Sequence, residues 1–81
     1  PQNIKYLFTT KTCPNCKLVK GYLKNVSYVT IDAEENMELA RRYGVMQAPT
    51  LVVVNGDSHK KYVNASNIKK YVDQLTLVWV E

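Results

Sequence analysis

Thr10-Lys11-Thr12-Cys13-Pro14-Asn15-Cys16-Lys17 holds both cysteines of this 81-residue chain, two residues apart. A Cys-x-x-Cys pair at the start of a helix closes a small disulfide ring and reopens it with little change of geometry, which makes redox chemistry the first reading. Pro14 suits the first helical turn, where its missing N–H is not needed. Beyond it Leu18, Val19, Tyr22 and Leu23 recur at helical spacing up to Asn25, so the first helix is predicted to begin at the cysteines. Upstream, Ile4 to Thr9 is a short β-branched and aromatic run, apolar on both faces apart from Lys5, as a central strand requires.

The remaining chain continues the alternation. Ser27 to Ile31 is a second β-branched run ending in Asp32, followed by Met37, Leu39, Ala40 and Tyr43 at helical spacing and a stop at Gly44. Thr50 to Val54 is a third strand, Asn55-Gly56-Asp57 a hairpin turn, and Ser58 to Val63 a fourth strand. Asn64 or Ser66 can cap a last helix with Ile68, Tyr71, Val72 and Leu75 on its inner face. Val78, Trp79 and Val80 either extend that helix, with fraying, or fold back on the sheet.

A chain of this length, 46% apolar, makes one domain over residues 1–81, near the lower limit for burying a core. No apolar run approaches the roughly 18 residues of a membrane span, and no basic segment followed by an apolar one opens the chain. The expectation is a cytoplasmic protein with no membrane contact; a start at Pro1 rather than Met suggests a processed chain or an excised domain. The formal net charge is +4, but its distribution says more: residues 1–27 carry five lysines and no acid, and residues 28–57 five acids against two arginines. Without a nucleic-acid-binding motif, the lysines read as solvated helix faces, and those near Cys13 favour its thiolate.

Strand, helix, strand, helix, hairpin and closing helix is the minimal order of the thioredoxin fold. Cys13-Pro14-Asn15-Cys16 after the first strand, and Tyr43-Gly44-Val45-Met46-Gln47-Ala48-Pro49-Thr50-Leu51 before the third, resemble the two signature segments of the thioredoxin/glutaredoxin superfamily. The resemblance covers essentially the whole chain and implies an α/β thioredoxin fold: a four-stranded mixed β-sheet (βαβ-α-ββ-α) flanked by three helices. The short N-terminal part looks like glutaredoxin, the Tyr-Gly-Val-x-x-x-Pro-Thr-Leu segment like thioredoxin. The wording from Phe8 to Lys17 is similar to small redoxins associated with ribonucleotide reductases, including redoxin-like domains that end some anaerobic reductase chains.

Thiolate, not thiol, attacks a disulfide. Cys13 at the helix N-cap, with Lys11 and Lys17 nearby, is placed to be that thiolate, and Cys16, a turn further in, to resolve the mixed disulfide. Pro14 and Asn15 set the turn. A purely structural disulfide over so small a loop would stabilise little, and a closed zinc site needs four ligands where only His59 adds a strong candidate; His59 reads as a surface residue. The resemblance further implies a cis Ala48-Pro49 bond, where about 5–6% of X–Pro bonds are cis in general. It also implies that Gln47, Ala48, Pro49 and Thr50 bind an extended substrate. Tyr6, Phe8, Tyr22 and Tyr28 read as core rather than as a substrate platform.

Two departures qualify the resemblance. Thioredoxins carry a buried acid six residues before the nucleophile, where this chain has Leu7, leaving Lys11, Lys17 or water to assist the resolving thiol. Glutaredoxins follow the hairpin with a Gly-Gly and acidic segment that binds glutathione; Tyr62-Val63-Asn64-Ala65-Ser66-Asn67 stands there instead. The resulting expectation is a monomeric protein-disulfide oxidoreductase, requiring no metal or organic cofactor, fed by a thioredoxin-type reductase and serving a protein disulfide such as that of a ribonucleotide reductase. The alternatives are a glutathione-dependent glutaredoxin and a non-catalytic docking or iron–sulfur carrying module.

Overall fold

The computed structural model describes residues 3–77, and the tail at Val78, Trp79 and Val80 lies outside them. The elements in order are β1 (Asn3–Thr9), α1 (Pro14–Tyr22), β2 (Val29–Asp32), α2 (Met37–Arg42), β3 (Thr50–Asn55), β4 (Ser58–Val63) and α3 (Asn64–Leu77). The strands form one mixed sheet in the order β2-β1-β3-β4. β1 runs parallel to β2 and antiparallel to β3, and β4 returns antiparallel on β3.

Central placement of β1 follows from its two apolar faces. Leu7 and Phe8 are both fully buried, and successive side chains of a strand point to opposite sides. Leu7 enters a cluster with Val19 of α1, Leu23 at that helix's C-cap, Leu51 from β3 and Ile68 from α3. Phe8 enters a second cluster with Ala40 of α2 and Val52 of β3. Helices therefore cover both faces, and each fully buried side chain of this size contributes about 1.5–3 kcal/mol relative to exposure. Tyr22 and Tyr28 pack against the first cluster and Tyr6 against the second, as expected of core residues.

Several boundaries move for local reasons. β2 begins at Val29, not Ser27, because its ladder reaches only the second half of β1, from Tyr6 opposite Val29 to Thr9 opposite Asp32. α1 stops at Tyr22 rather than near Asn25; Gly21 weakens its last turn, and Leu23 caps it with its N–H on the Val19 carbonyl. The buried stripe of α1 is Cys16, Val19 and Leu23, while Leu18, expected inside, is 50% exposed. α2 closes with a Schellman motif: Gly44 at φ +66° donates to the Arg41 carbonyl at 3.0 Å, and Val45 to that of Ala40 at 2.8 Å. The hairpin pairs Asn55 with Ser58, leaving Gly56-Asp57 as a two-residue loop with positive φ at the glycine. Asn64, not Ser66, caps α3, its Oδ1 accepting the Asn67 N–H at 3.2 Å.

Candidate active site

Antiparallel pairing sets Phe8 opposite Thr50, so the chain leaving β1 toward the cysteines and the chain entering β3 through Pro49 emerge at the same end of the sheet. Cys13 is the N-cap of α1, in extended conformation, with Pro14 in the first helical position. No side chain caps this helix start and no acid lies in its first turn, so its backbone N–H groups are left to a negative charge at position 13. Cys13 and Cys16 are joined in a disulfide with Cα atoms 5.5 Å apart. Cys13 is partly exposed, and Cys16, on α1's buried stripe, is 6% exposed.

At this same end of the sheet, just before β3, the Ala48-Pro49 bond is cis. The segment leading to it is held at each end. Thr50 Oγ1 donates to the Gln47 carbonyl at 2.7 Å, and the Asn64 N–H donates to the Pro49 carbonyl at 2.9 Å. Gln47 is exposed, Ala48 partly exposed, and Pro49 and Thr50 buried. Of the four residues expected to bind substrate, only the first two therefore present surface.

The lysines divide. Lys11 lies 3.6 Å from the Glu35 carboxylate, both side chains well exposed, so its charge near Cys13 is shared with an acid that sequence reading did not pair with it. Lys17 has no carboxylate partner among the described residues and sits one helical turn beyond Cys13. Leu7 is fully buried where an acid was missed, so no carboxylate reaches Cys16 from β1. His59 is exposed on β4, its ring packed edge-on against Tyr43 at 5.0 Å. No group of three or more His, Cys, Asp or Glu side chains that could hold a metal occurs among the described residues. Nor is any described helix long and apolar enough to cross a membrane.

Sequence reading also missed a groove of about 650 Å³ that runs from Thr10 to Gln47, floored by Ala33, Ala40 and Val45. Only the rarity of exposed large apolar residues marks it: Met46 is 93% and Met37 56% exposed, and both line it. Exposure of a loop methionine has no sequence signature.

A thioredoxin-fold domain with a disulfide-linked cysteine pair at a helix start, and a cis-proline at the same end of the sheet, belongs to the class built around thiol–disulfide chemistry. The chain belongs to the glutaredoxin family, whose sequence pattern matches residues 6–59. It is 37% identical over 59 residues to a thioredoxin of Methanocaldococcus jannaschii, an alignment covering 63% of this chain and 68% of that protein. It is 36% identical over 45 residues to the SPbeta prophage-derived thioredoxin-like protein YosR of Bacillus subtilis, covering 53% of this chain but only 56% of that protein. The germline-specific thioredoxin Deadhead of Drosophila melanogaster shares the fold at a TM-score of 0.76 and 22% identity, over 94% of this chain and 81% of that one.

Proposed function

We propose that the protein is a dithiol oxidoreductase that reduces protein disulfides through Cys13 and Cys16. The observation that carries this reading is the asymmetry of the pair: Cys13 partly exposed at an uncapped helix start, Cys16 buried one turn in. In the reduced protein the Cys13 thiolate attacks one sulfur of a substrate disulfide, forming a mixed disulfide and expelling the other sulfur as a thiolate, which takes up a proton. Cys16, giving up its proton with assistance from Lys11, Lys17 or water, then attacks the Cys13 sulfur. The substrate leaves as a dithiol and the Cys13–Cys16 disulfide forms, two electrons having passed. Gln47 and Ala48 offer backbone to an extended substrate beside the cysteines, while Pro49 and Thr50 fix that backbone in place. Lys17 supports the thiolate, and Lys11 does so less because of Glu35.

The electron donor in this reading is a thioredoxin-type reductase, the substrate a protein disulfide such as that of a ribonucleotide reductase, and the compartment the reducing cytoplasm. The family match ends at residue 59, before Tyr62 to Asn67, and at the start of α3 the Asn64 and Asn67 N–H groups already have partners within the chain. Both observations speak against a glutathione seat there. The decisive experiment incubates Cys16→Ser and Cys13→Ser variants with a protein disulfide. Cys16→Ser should accumulate a stable mixed disulfide through Cys13, and Cys13→Ser should form none. Faster alkylation of Cys16 than of Cys13 at neutral pH would reverse the assigned roles.

A further inference from the structure

The chain has two methionines, and both line the groove that reaches Thr10, three residues before Cys13, and Gln47, two before the cis-proline. Met37 opens α2 and Met46 lies just past its Schellman closure, so the fold brings together two thioethers that are nine residues apart in sequence. Neither belongs to the second core cluster, which Phe8, Ala40 and Val52 form with Ala33, Leu39 and Val45 packed against them, and Met46 is 93% exposed. Their setting is mixed: Thr10, Glu34, Arg41 and Gln47 line the groove with polar groups, and Ala33, Ala40 and Val45 with apolar ones. Unbranched, polarisable methionines on such a rim adapt to varied apolar side chains, a use that depends on their staying apolar.

We propose that Met46 and Met37 are peroxide-modification sites whose oxidation to sulfoxide weakens docking of protein disulfides and leaves the Cys13–Cys16 exchange itself intact. The proposal rests on the reading that Gln47 and its neighbours receive the substrate. In each event the thioether sulfur attacks one oxygen of hydrogen peroxide and the O–O bond breaks. The sulfur keeps that oxygen as S=O, losing two electrons, and the other oxygen leaves as water. The exposed sulfurs react in the resting disulfide form, in which Cys13 and Cys16 hold no thiolate to compete. A sulfoxide is polar and chiral, so the rim no longer matches an apolar side chain. Dithiol exchange does not reverse the change, since sulfoxide reduction needs its own enzyme.

The test treats the disulfide form with hydrogen peroxide, removes the oxidant and confirms by mass spectrometry one added oxygen on each methionine. After reduction, KM and kcat are measured with insulin, and the rate with a small aromatic disulfide. The expected result is a KM for insulin raised roughly three- to tenfold, the scale of one lost apolar contact, with kcat and the small-disulfide rate unchanged. A Met37→Leu/Met46→Leu double variant, compared with its own untreated activity, should lose peroxide sensitivity; Met46→Leu alone serves the same purpose at a position too exposed to carry folding. An unchanged KM after complete methionine oxidation would overturn the proposal, as would equal sensitivity of the leucine variants. If untreated protein shows no Cys13-dependent reduction of either disulfide, the underlying oxidoreductase reading fails, which is a separate and recognisable result.

Discussion

Tyr71 is a side chain whose titration the fold alters. Burial against α1 and β4, and then the facing Tyr62 ring at 4.5 Å, raise its phenol above the usual value of about 10. Because the folded state holds this proton more tightly than the unfolded chain, its stabilising contribution is complete below about pH 10. It is lost as pH rises through the folded pKa. Urea midpoints measured across that alkaline range should fall for the wild type and fall less steeply for Tyr71→Phe; parallel curves would show that Tyr71 ionisation does not couple to folding. The same residue scale explains what could be read early. The roles of Cys13 and Cys16 depend on a spacing of three along one helix, which is local, and Leu7 declared its burial by its place in an apolar strand. The Lys11–Glu35 pair and the Met37–Met46 rim depend on how the loop after β2 folds against the end of β1, and no local pattern encodes that approach.

Elements were legible where punctuation is chemical. Gly44 ends α2, Gly56 turns the hairpin, and Asn64 enters α3 at φ +68°, a conformation asparagine tolerates better than most residues. The two glycines have nearly the same φ but different surroundings. A Cβ on Gly56 would meet nothing within 4 Å, whereas one on Gly44 would come within 2.9 Å of Lys61 Nζ, which donates to the Gly44 carbonyl at 3.0 Å. This bond ties β4 to the start of the segment that carries the cis-proline. Gly56→Ala should therefore cost only backbone strain, about 1–2 kcal/mol. Gly44→Ala should cost the same strain plus up to about 1 kcal/mol for displacing an exposed lysine from its hydrogen bond. In a Lys61→Ala background the two glycine substitutions should become equal by urea denaturation. A persistent difference would place the tension at Gly44 in the Schellman closure itself. The misjudged ends, β2 at Val29 and α1 at Tyr22, lie where register and a short helix's neighbours decide, not composition.

On the scale of the molecule, charge is sorted around the cysteines. Lys17 and Lys20 on α1 and Lys24 just past its end are exposed, without carboxylate partners among the described residues, while Glu34, Glu35 and Glu38 are exposed between β2 and the first turn of α2. The sequence showed this as a basic first third and an acidic middle; the fold sets them on opposite faces of the sheet, α1 against the Leu7 cluster and α2 against the Phe8 cluster, with Cys13 at the start of the basic helix. A field of this kind acts mainly on encounter rates and is screened beyond about 8 Å at physiological ionic strength. Reduction of an acidic protein disulfide should then slow severalfold as salt rises from low to physiological levels, through KM rather than kcat. A neutral small disulfide, which the field does not steer, should be unaffected. Lys20→Glu with Lys24→Glu should remove most of the salt dependence while leaving the cysteines' exchange intact, because neither lysine neighbours Cys13 along the helix. The same series identifies the donor. A flavin-dependent thioredoxin-type reductase should sustain turnover, and glutathione should sustain little, since Tyr62 to Asn67 lacks the glycine pair and acid that would hold it. Rapid turnover with glutathione alone, insensitive to salt, would overturn the choice of donor and leave the chemistry of Cys13 and Cys16 standing.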